Sequence, residues 1–402
     1  MLAAGSVLNY IDRAALGVVM PQIRSDLGLT NAGYGLAVNG FLISYMVIYV
    51  LGGRLADRLG CRRTFSIGVV AWSIAQMLHA AAGGLRSLFV CRALLGIGEG
   101  GFYPCAIRGA AEWFPPETRA KVVGQVLGGL TIGTLVTPPL VAWITIQWGW
   151  RAAFVATGAF GFVLLVPWLA FHRHVARAFG TPDPAPALSL VEHIEELDVP
   201  LVEVLRRRKY WCVATARAVT DAAWYFYLFW MSGYFQDARG FSLEMVGRWL
   251  WIPYLAAYAG AVSGAWASSA LIQRGASIDR GRRSVLIPSA LLAALGGFTY
   301  LAPGSGLAVA TISLALFGHL SWATNIHTVI SEITPRRHLA VLYGITGAYG
   351  TLLGVLTQPV IGGLVDHLGY GPAYLAGGLA YVLAIILLLA AGRIEPIRRP
   401  IR

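Results

Sequence analysis

Charged side chains are scarce in this chain: only 12% of its 402 residues are Asp, Glu, Lys or Arg, whereas 57% are apolar. Soluble domains carry about 25% charged and about 45 to 50% apolar residues. Apolar runs recur along the whole chain, and no polar domain separates them. The composition therefore argues against a soluble enzyme and predicts a membrane protein that crosses the bilayer several times.

Cysteine is also rare. Cys61, Cys91, Cys105 and Cys212 share no CxxC spacing, which indicates neither a disulfide framework nor a zinc site. We expect inert packing thiols, no metal and no other cofactor. The catalytic motifs HExxH and GxSxG are absent as well, so the sequence does not favour a membrane-embedded enzyme. The net charge of +12 is spread over short loops without a recognisable nucleic-acid module, so we expect no nucleic-acid partner.

The hydrophobic pattern predicts the membrane spans. A bilayer core of about 30 Å needs about 20 apolar residues per helix. On that measure the sequence contains twelve predicted spans. They are 1–23, 33–53, 64–82, 86–107, 120–143, 151–171, 210–235, 243–272, 284–302, 306–331, 339–363 and 371–392. The first lacks the basic segment of a secretory signal, which favours a membrane helix over a cleaved leader. It is barely long enough, which leaves open a start further upstream.

Basic residues predict the orientation. Most of the 31 Lys and Arg residues lie in the loops after the even-numbered spans and in the C-terminal tail. Because basic loops resist translocation, both termini are predicted to be cytoplasmic. Loops that use arginine more than lysine, together with short termini, favour a bacterial inner-membrane protein. We expect it to be a monomer in the lipid bilayer.

The chain divides into two halves that resemble each other. A polar segment, 172–209, separates a predicted N-terminal bundle, 1–171, from a C-terminal bundle, 210–402. At an offset of 220 residues, unusual residues of the two halves coincide. The matched pairs are Arg62 and Arg282, Arg63 and Arg283, Glu112 and Glu332, Pro115 and Pro335, Pro139 and Pro359, and Gly149 and Gly369. Six spans return the chain to the same side, so the repeats are parallel. We predict an all-α membrane protein with twelve transmembrane helices in two six-helix bundles.

The segment GGRLADRLGCRR, after span 2, carries a family signature. With Gly53, Asp57 and Arg58 it resembles the signature between the second and third helices of the major facilitator superfamily. That resemblance implies transport through a mid-membrane site between parallel halves. It also implies a cytoplasmic latch in which Asp57 pairs with basic groups. The second half has Ser269 and Ala270 where the family often carries an acid and a base, so there the latch is expected to be asymmetric or absent.

Four further segments resemble one branch of that superfamily. They are NYIDRAALGVVMPQI from residue 9, CRALLGIGEGGFYPCAIRGAAEWFPPETRA from residue 91, TDAAWYFYLFWMSGYFQDARGFS from residue 220 and HLSWATN from residue 319. Together they are similar to the anion:cation symporter family, which holds hexuronate and other sugar-acid permeases. Ala222 departs from the pattern, because the hexuronate branch often has proline there. The resemblance implies a small organic anion as substrate.

Four ionisable residues fall inside predicted spans 1 and 4: Asp12, Arg13, Arg92 and Glu99. Each would cost about 2.5 to 3.5 kcal/mol at the centre of a span unless it found a partner. Arg92 and Glu99 lie seven residues apart, hence on one helix face, whereas Asp12 and Arg13 point about 100° apart. One interpretation is two ion pairs that simply lock helices 1 and 4 together.

The other interpretation is coupled transport. With both acids protonated, Arg13 and Arg92 would be free to hold a carboxylate through paired hydrogen bonds. The resemblance implies the same division, with the acids, Asp12 and Glu99, as proton carriers and the arginines as anion ligands. Protons would be the coupling ion. Tyr10 and Tyr45 are further candidates for the cavity wall.

We expect the second half to bind the part of the substrate that the arginines do not contact. His319 lies one repeat length after Glu99, and Trp322 and Asn325 follow on the same helix face. An imidazole, an amide and an aromatic plane suit a hydroxylated substrate, although Trp322 could be packing and Asn325 an interhelical hydrogen bond. We expect Arg217 and Asp221 to pair with each other.

Glycines predict where helices pack closely. Span 5 carries Gly124, Gly128, Gly129 and Gly133, which favour close helix contact. His79 is expected to be structural, as is His327.

Together these features predict a proton-coupled symporter that imports an organic anion by rocker-switch alternating access. A sugar acid such as a hexuronate or aldonate is the expected substrate. The alternatives are a transporter of other carboxylates, such as a monocarboxylate or an aromatic acid, and a proton-driven exporter.

Overall fold

A computed structural model of the protein describes residues 1–114, 116–179, 199–335 and 338–397. The described residues are predominantly helical and contain no strand. The α-helices are α1 (Leu2–Val18), α2 (Met20–Leu27), α3 (Asn31–Leu78), α4 (Leu85–Gly100), α5 (Phe102–Trp113), α6 (Pro116–Phe179), α7 (Leu201–Arg206), α8 (Arg208–Arg239), α9 (Leu243–Trp249), α10 (Trp251–Gln273), α11 (Ile278–Ala294), α12 (Ser305–Ile333), α13 (Leu339–Leu368) and α14 (Gly371–Ala390). Short 3-10 helices cover His79–Ala81 and Leu295–Leu301.

Two of these helices each contain two predicted spans. Helix α3 is interrupted at Gly60 (φ 74°, ψ 161°) and α6 at Gly149 (φ 81°, ψ 164°). Glycine adopts positive φ without the steric clash that a Cβ atom causes, so the chain turns at these positions. Gly369, the repeat partner of Gly149, also has positive φ (73°). The turn between spans 5 and 6 is thus repeated between spans 11 and 12.

The fold is the twelve-helix arrangement that the sequence predicts. Within the described residues, eight stretches are long and apolar enough to cross a membrane, and the remaining helices complete the twelve. Predicted spans 1, 4 and 8 are each divided between two consecutive helices, α1 with α2, α4 with α5 and α9 with α10. Breaks inside spans are characteristic of places where backbone lines a protein interior.

The described parts of the chain form two compact units. The first comprises Met1–Leu190, Leu228–Trp251 and Gln358–Asp366, and the second comprises Val191–Tyr227, Ile252–Thr357 and His367–Arg402. The first unit thus includes two pieces from the second half of the sequence. The predicted boundaries at 171 and 210 follow the sequence repeat and remain predictions.

Each unit has its own core. In the first unit, the rings of Phe65 and Trp168 lie 4.2 Å apart, and Phe65 also meets Trp72 edge to face at 6.1 Å. In the second unit, Trp322 and Tyr381 are enclosed within an aliphatic cluster from α8, α11, α12 and α14. These cores hold the helices that carry the buried polar groups described next.

Candidate functional site

The four buried charges predicted from the sequence meet inside the first unit. Helix α1 carries Asp12 and Arg13, and α4 carries Arg92 and Glu99. All four side chains are buried, Arg92 completely. Each of the four interacts electrostatically with at least one of the others. The site is therefore one charge cluster between two helices.

Glycines allow the helices of this site to approach closely. A Cβ atom on Gly129 or Gly133 of α6 would lie within 2.4 to 2.5 Å of a carbonyl oxygen of α1, and one on Gly40 of α3 would lie 2.4 Å from a carbonyl of α4. Gly129 and Gly133 thus confirm the predicted close contact. Gly124 and Gly128 do not: a Cβ atom there would meet nothing within 4 Å, so that part of the prediction is wrong. They lie on the same helix but on a face without a close neighbour.

An ion pair joins α1 to α4. Arg13 donates from Nε (3.2 Å) and Nη2 (3.0 Å) to the same oxygen, Oε2, of Glu99. Its Nη2 also donates to Oδ1 of Asn9 at 3.3 Å. The other oxygen of Glu99, Oε1, is buried without a hydrogen-bond partner among the described residues. The pairing uses only half of the carboxylate's hydrogen-bonding capacity.

Aromatic rings surround the paired guanidinium. The Cζ atom of Arg13 lies 4.7 Å from the ring centre of Tyr10, 4.5 Å from that of Tyr45 and 4.9 Å from that of Phe41. Both tyrosines predicted from the sequence therefore contact this guanidinium, and their place in a substrate cavity remains a prediction. Phe41 was not predicted, although its position one turn before Tyr45 on α3 could have indicated it. Its ring also lies 4.7 Å from the Cζ atom of Arg92.

Arg92 has no hydrogen-bonding anion. Its side chain is completely buried, and none of its three nitrogens has an acceptor among the described residues. It faces the rings of Phe41 and Phe229. A buried guanidinium that lacks an acceptor is unfavourable by several kcal/mol, which a bound anion or water would relieve. Arg92 is therefore the member of this cluster whose hydrogen-bond donors are unused among the described residues.

Asp12 lies near Glu99 and Thr157. Neither of its oxygens accepts a normal hydrogen bond from a described residue, although its carboxyl group is close to Glu99 and to the hydroxyl of Thr157 on α6. That hydroxyl also accepts a hydrogen bond from Nε2 of Gln76 at 2.9 Å. Asp12 and Arg13 therefore share Glu99 as a neighbour, and they differ in their other neighbours: Thr157 for Asp12, and Asn9 with three aromatic rings for Arg13.

In the second unit, His319 is held by aromatic residues. Its Nδ1 lies 2.6 Å from the hydroxyl of Tyr381, and its ring stacks on Trp224 at 5.0 Å and 8°. Trp224 and Tyr381 were not singled out in the sequence. The ring pair forms a flat aromatic surface beside an imidazole.

Trp322 and Asn325 use their polar atoms within the second unit. Trp322 is fully buried and donates from Nε1 to the hydroxyl of Thr220 at 3.1 Å. Asn325 donates to the carbonyl of Ser321 at 2.9 Å and accepts from Arg282 at 3.4 Å. Their roles in substrate binding remain predictions.

Two expectations about structural residues agree with the geometry. Arg217 and Asp221 form an ion pair at 3.3 Å, as predicted. His79 is buried, its Nδ1 lies 2.8 Å from the carbonyl of Ala75, and its ring stacks on Phe154 at 4.9 Å.

The predicted cytoplasmic latch is only partly visible. Gly53 and Asp57 lie outside the residues whose side chains are described, and Arg58 is exposed on α3. In the second unit, however, Arg282 of α11 makes a forked ion pair with Glu332 of α12, the shortest contact being 2.8 Å. The second half therefore has a charge pair in this region although it lacks the family's acid and base at residues 269 and 270. The first-half latch remains a prediction.

A polar network closes one end of the first unit. Arg24 on α2 donates to Asp237 at the end of α8 (2.5 Å) and to Asn31 at the start of α3 (2.7 Å). Asp366 on α13 accepts from the backbone N–H of Asn31 (3.0 Å), from its side-chain amide (2.8 Å) and from the backbone N–H of Ala32 (2.9 Å). It thereby satisfies two N–H groups that the first turn of α3 leaves free. The distribution of basic residues in the sequence predicts that this end faces the outside.

Sequence reasoning missed this network. Each of its members looks like an ordinary polar residue at the end of a span. Arg24 and Asn31 are only 7 residues apart, but Asp237 and Asp366 lie more than 200 residues from the groups that they bind, so no local spacing could have linked them.

Comparisons with known proteins agree with the fold and the sequence motifs. The family model described as Major Facilitator Superfamily matches residues 2–356. The chain is 29% identical to the hexuronate transporter of Bacillus subtilis over 96% of this chain and 92% of that protein. It is 26% identical to the hexuronate transporter of Escherichia coli, covering 97% and 91% of the two chains, and 27% identical to an Escherichia coli D-galactonate transporter, covering 94% and 93%.

Solved structures show the same fold. A crystal structure of a D-xylose-proton symporter superposes with a TM-score of 0.73 at 18% identity, covering 98% of this chain and 96% of that one. A bacterial homologue of the human lysosomal transporter Spinster, inward-facing and occupied, gives 0.74 at 20% identity, covering 97% and 93%. Motifs, helices and family match lead to one conclusion: this chain belongs to the Major Facilitator Superfamily and is a multi-pass membrane transporter, not an enzyme.

Proposed function

We propose that the protein is a proton-coupled symporter that imports a sugar acid, such as a hexuronate or an aldonate, across a bacterial inner membrane. The observation that carries the proposal is Arg92, a buried cation without an acceptor among the described residues. The relatives named for hexuronate and D-galactonate transport support the substrate class. Both substrates carry the carboxylate that a guanidinium binds through two hydrogen bonds.

The charge balance of the cluster supports coupling to protons. With both acids ionised, Asp12 and Glu99 offset Arg13 and Arg92. A proton on Asp12 removes the repulsion between its carboxylate and that of nearby Glu99. A second proton, on Glu99, weakens the pair with Arg13 and leaves two guanidiniums for an incoming carboxylate. Proton entry and anion entry therefore favour each other.

The inward proton gradient sets the direction of net transport, since both ends must open in each cycle. In the proposed cycle, sugar acid and protons enter from outside and leave to the cytoplasm, with both termini cytoplasmic. The network of Arg24, Asp237, Asn31 and Asp366 must separate when the outside opens and re-form when it closes. Its hydrogen bonds stabilise the state that is closed outside.

Purified protein in proteoliposomes tests this function. Adding glucuronate, galacturonate or galactonate outside should make the outer medium alkaline, and an inward proton gradient should drive uphill uptake that a protonophore abolishes. A short monocarboxylate without the sugar chain, such as lactate, should give no more signal than it gives in protein-free liposomes. Uptake without proton movement would contradict coupling, equal transport of the monocarboxylate would contradict the substrate class, and proton-driven efflux alone would indicate an exporter.

A variant separates coupling from binding. Glu99→Gln should lose uphill accumulation, because the amide cannot release a proton, yet retain exchange of labelled for unlabelled sugar acid. Glu203→Gln is the matched control, since Glu203 lies on α7 in a partly exposed pair with Arg207. Full uphill uptake by Glu99→Gln would remove Glu99 from the coupling mechanism.

A further inference from the structure

Two of the four cysteines meet inside the first unit. Cys61 lies on α3, directly after the break at Gly60, and Cys105 lies on α5. Their Sγ atoms are 2.9 Å apart, and the exposed fractions of the two residues are 1% and 0%. The two residues are 44 positions apart in the chain, so the absence of a CxxC motif could not reveal the contact.

The two thiols are oriented toward each other by reciprocal contacts. Sγ of Cys61 donates to the carbonyl oxygen of Cys105 at 3.1 Å, and Sγ of Cys105 donates to that of Cys61 at 3.2 Å. A disulfide bond is about 2.05 Å long, so the sulfur atoms need to approach by less than about 1 Å to bond. Helix packing alone thus brings both thiols almost to bonding distance.

We propose that Cys61 and Cys105 are an oxidisable dithiol, which a hydroperoxide converts into a disulfide that links α3 to α5. The thiolate of one cysteine attacks an oxygen of the peroxide, the O–O bond breaks, and a sulfenic acid and water or an alcohol result. The second thiol attacks the sulfenic sulfur, the S–S bond forms, and water leaves. The two thiols together lose two electrons and two protons, and the peroxide gains two electrons.

The predicted location favours a reversible bond. The basic-loop pattern places the Gly60 turn, and the end of α5 beside it, on the cytoplasmic side. Cytosolic disulfides are mostly transient and often report on redox state. The disulfide should therefore form under peroxide and open again with a thiol reductant. It would close a loop that contains α4, which restricts the unfolded chain and raises the melting temperature.

The native chain tests the proposal without a substitution. Purified protein is treated with hydrogen peroxide, unfolded in the presence of an alkylating maleimide, and digested without reduction for mass spectrometry. Of the four free thiols, two should become resistant to alkylation. A linked peptide pair containing Cys61 and Cys105, lighter by two hydrogen atoms than its reduced form, should appear. Dithiothreitol should restore all four thiols, and the oxidised protein should melt at a higher temperature than the reduced one.

Two variants serve as controls. The double variant with Cys91→Ser and Cys212→Ser keeps the pair and should give the same linked peptides, whereas Cys105→Ala should give none. Four alkylated thiols after peroxide treatment of folded native protein would overturn the proposal. A link that involves Cys91 or Cys212, or a sulfinic acid on Cys61 without a link, would overturn it as well. None of these outcomes depends on the substrate or on proton coupling.

Discussion

Arg13 gives two N–H groups to a single oxygen of Glu99, while the second oxygen of that carboxylate has no partner among the described residues. The pair thus links α1 to α4 through two hydrogen bonds, while one oxygen of the carboxylate is unused. One proton on Glu99 removes the negative charge that holds the guanidinium in place. In the proposed mechanism, this one ion pair is both a structural contact and the element that couples protons to the substrate.

Replacing Arg13 by lysine tests the need for a fork. An ammonium group cannot reproduce the Nε and Nη2 donors together, nor the contacts of a planar guanidinium with three neighbouring aromatic rings. Loss of one charged hydrogen bond is worth about 1.5 to 3 kcal/mol, so Arg13→Lys should raise the KM for sugar acid about tenfold or more. Arg151→Lys is the control, because Arg151 is 47% exposed in its pair with Asp26. An unchanged KM in Arg13→Lys would contradict the role of Arg13.

The ring of Phe41 lies against the guanidiniums of Arg13 and Arg92, so we expect it to position both. Leucine preserves an apolar side chain but removes the cation–π contacts, each worth about 0.5 to 2 kcal/mol. Phe41→Leu should therefore raise the KM about three- to tenfold. Phe226→Leu, at a position that is 2% exposed in the second unit, makes the same change in a core without arginine contacts. If both variants raise the KM equally, Phe41 acts only through packing.

The pair of Arg24 and Asp237 should set how often the outer end opens. Its side chains are 16% and 30% exposed, so the pair is worth at most about 1 kcal/mol, or about fivefold in population. Opening of this end can be measured with the substitution Ser232→Cys. Ser232 is buried and donates to the carbonyl of Val18. A membrane-impermeant maleimide should label the new cysteine only when the outer end is open. Asp237→Asn should accelerate that labelling up to about fivefold.

The control for this experiment is Asp26→Asn in the same Ser232→Cys background. Asp26 pairs with Arg151 on the surface and with the indole of Trp150, without joining α2 to α8. Its labelling rate should equal that of the parent. Equal acceleration by both substitutions would show that the Arg24 pair has no specific part in closure.

Gly149 should tolerate no Cβ atom, because its φ is 81°. A residue other than glycine in such a conformation costs about 1 to 3 kcal/mol. Gly149→Ala and its repeat partner Gly369→Ala should each lower the melting temperature of the detergent-solubilised protein. Gly124→Ala is the control, since Gly124 lies in open space within α6 and alanine is the better helix former. It should melt at or above the temperature of the parent.

Local patterns predicted the parts of the site that lie on single helices. The seven-residue spacing of Arg92 and Glu99 places both on one face, and the adjacency of Asp12 and Arg13 directs them apart. The sequence did not predict that Arg13 pairs with Glu99, because helical spacing would equally have allowed Glu99 to lie beside Arg92 or Asp12. The contact of Phe41 with two arginines, the three-donor site around Asp366 and the approach of Cys61 to Cys105 did not follow either, since each depends on how separate helices pack.

The sequence by itself determined that the chain is a membrane protein and that its two halves repeat after 220 residues. It also determined that opposite charges lie within spans 1 and 4. These are consequences of composition and helical periodicity, which act over a few turns. Only the tertiary structure decided that Arg13 takes Glu99 as its partner while Arg92 is left to face aromatic rings. That choice depends on the distance and rotation between helices, which glycine contacts and ring packing fix in three dimensions.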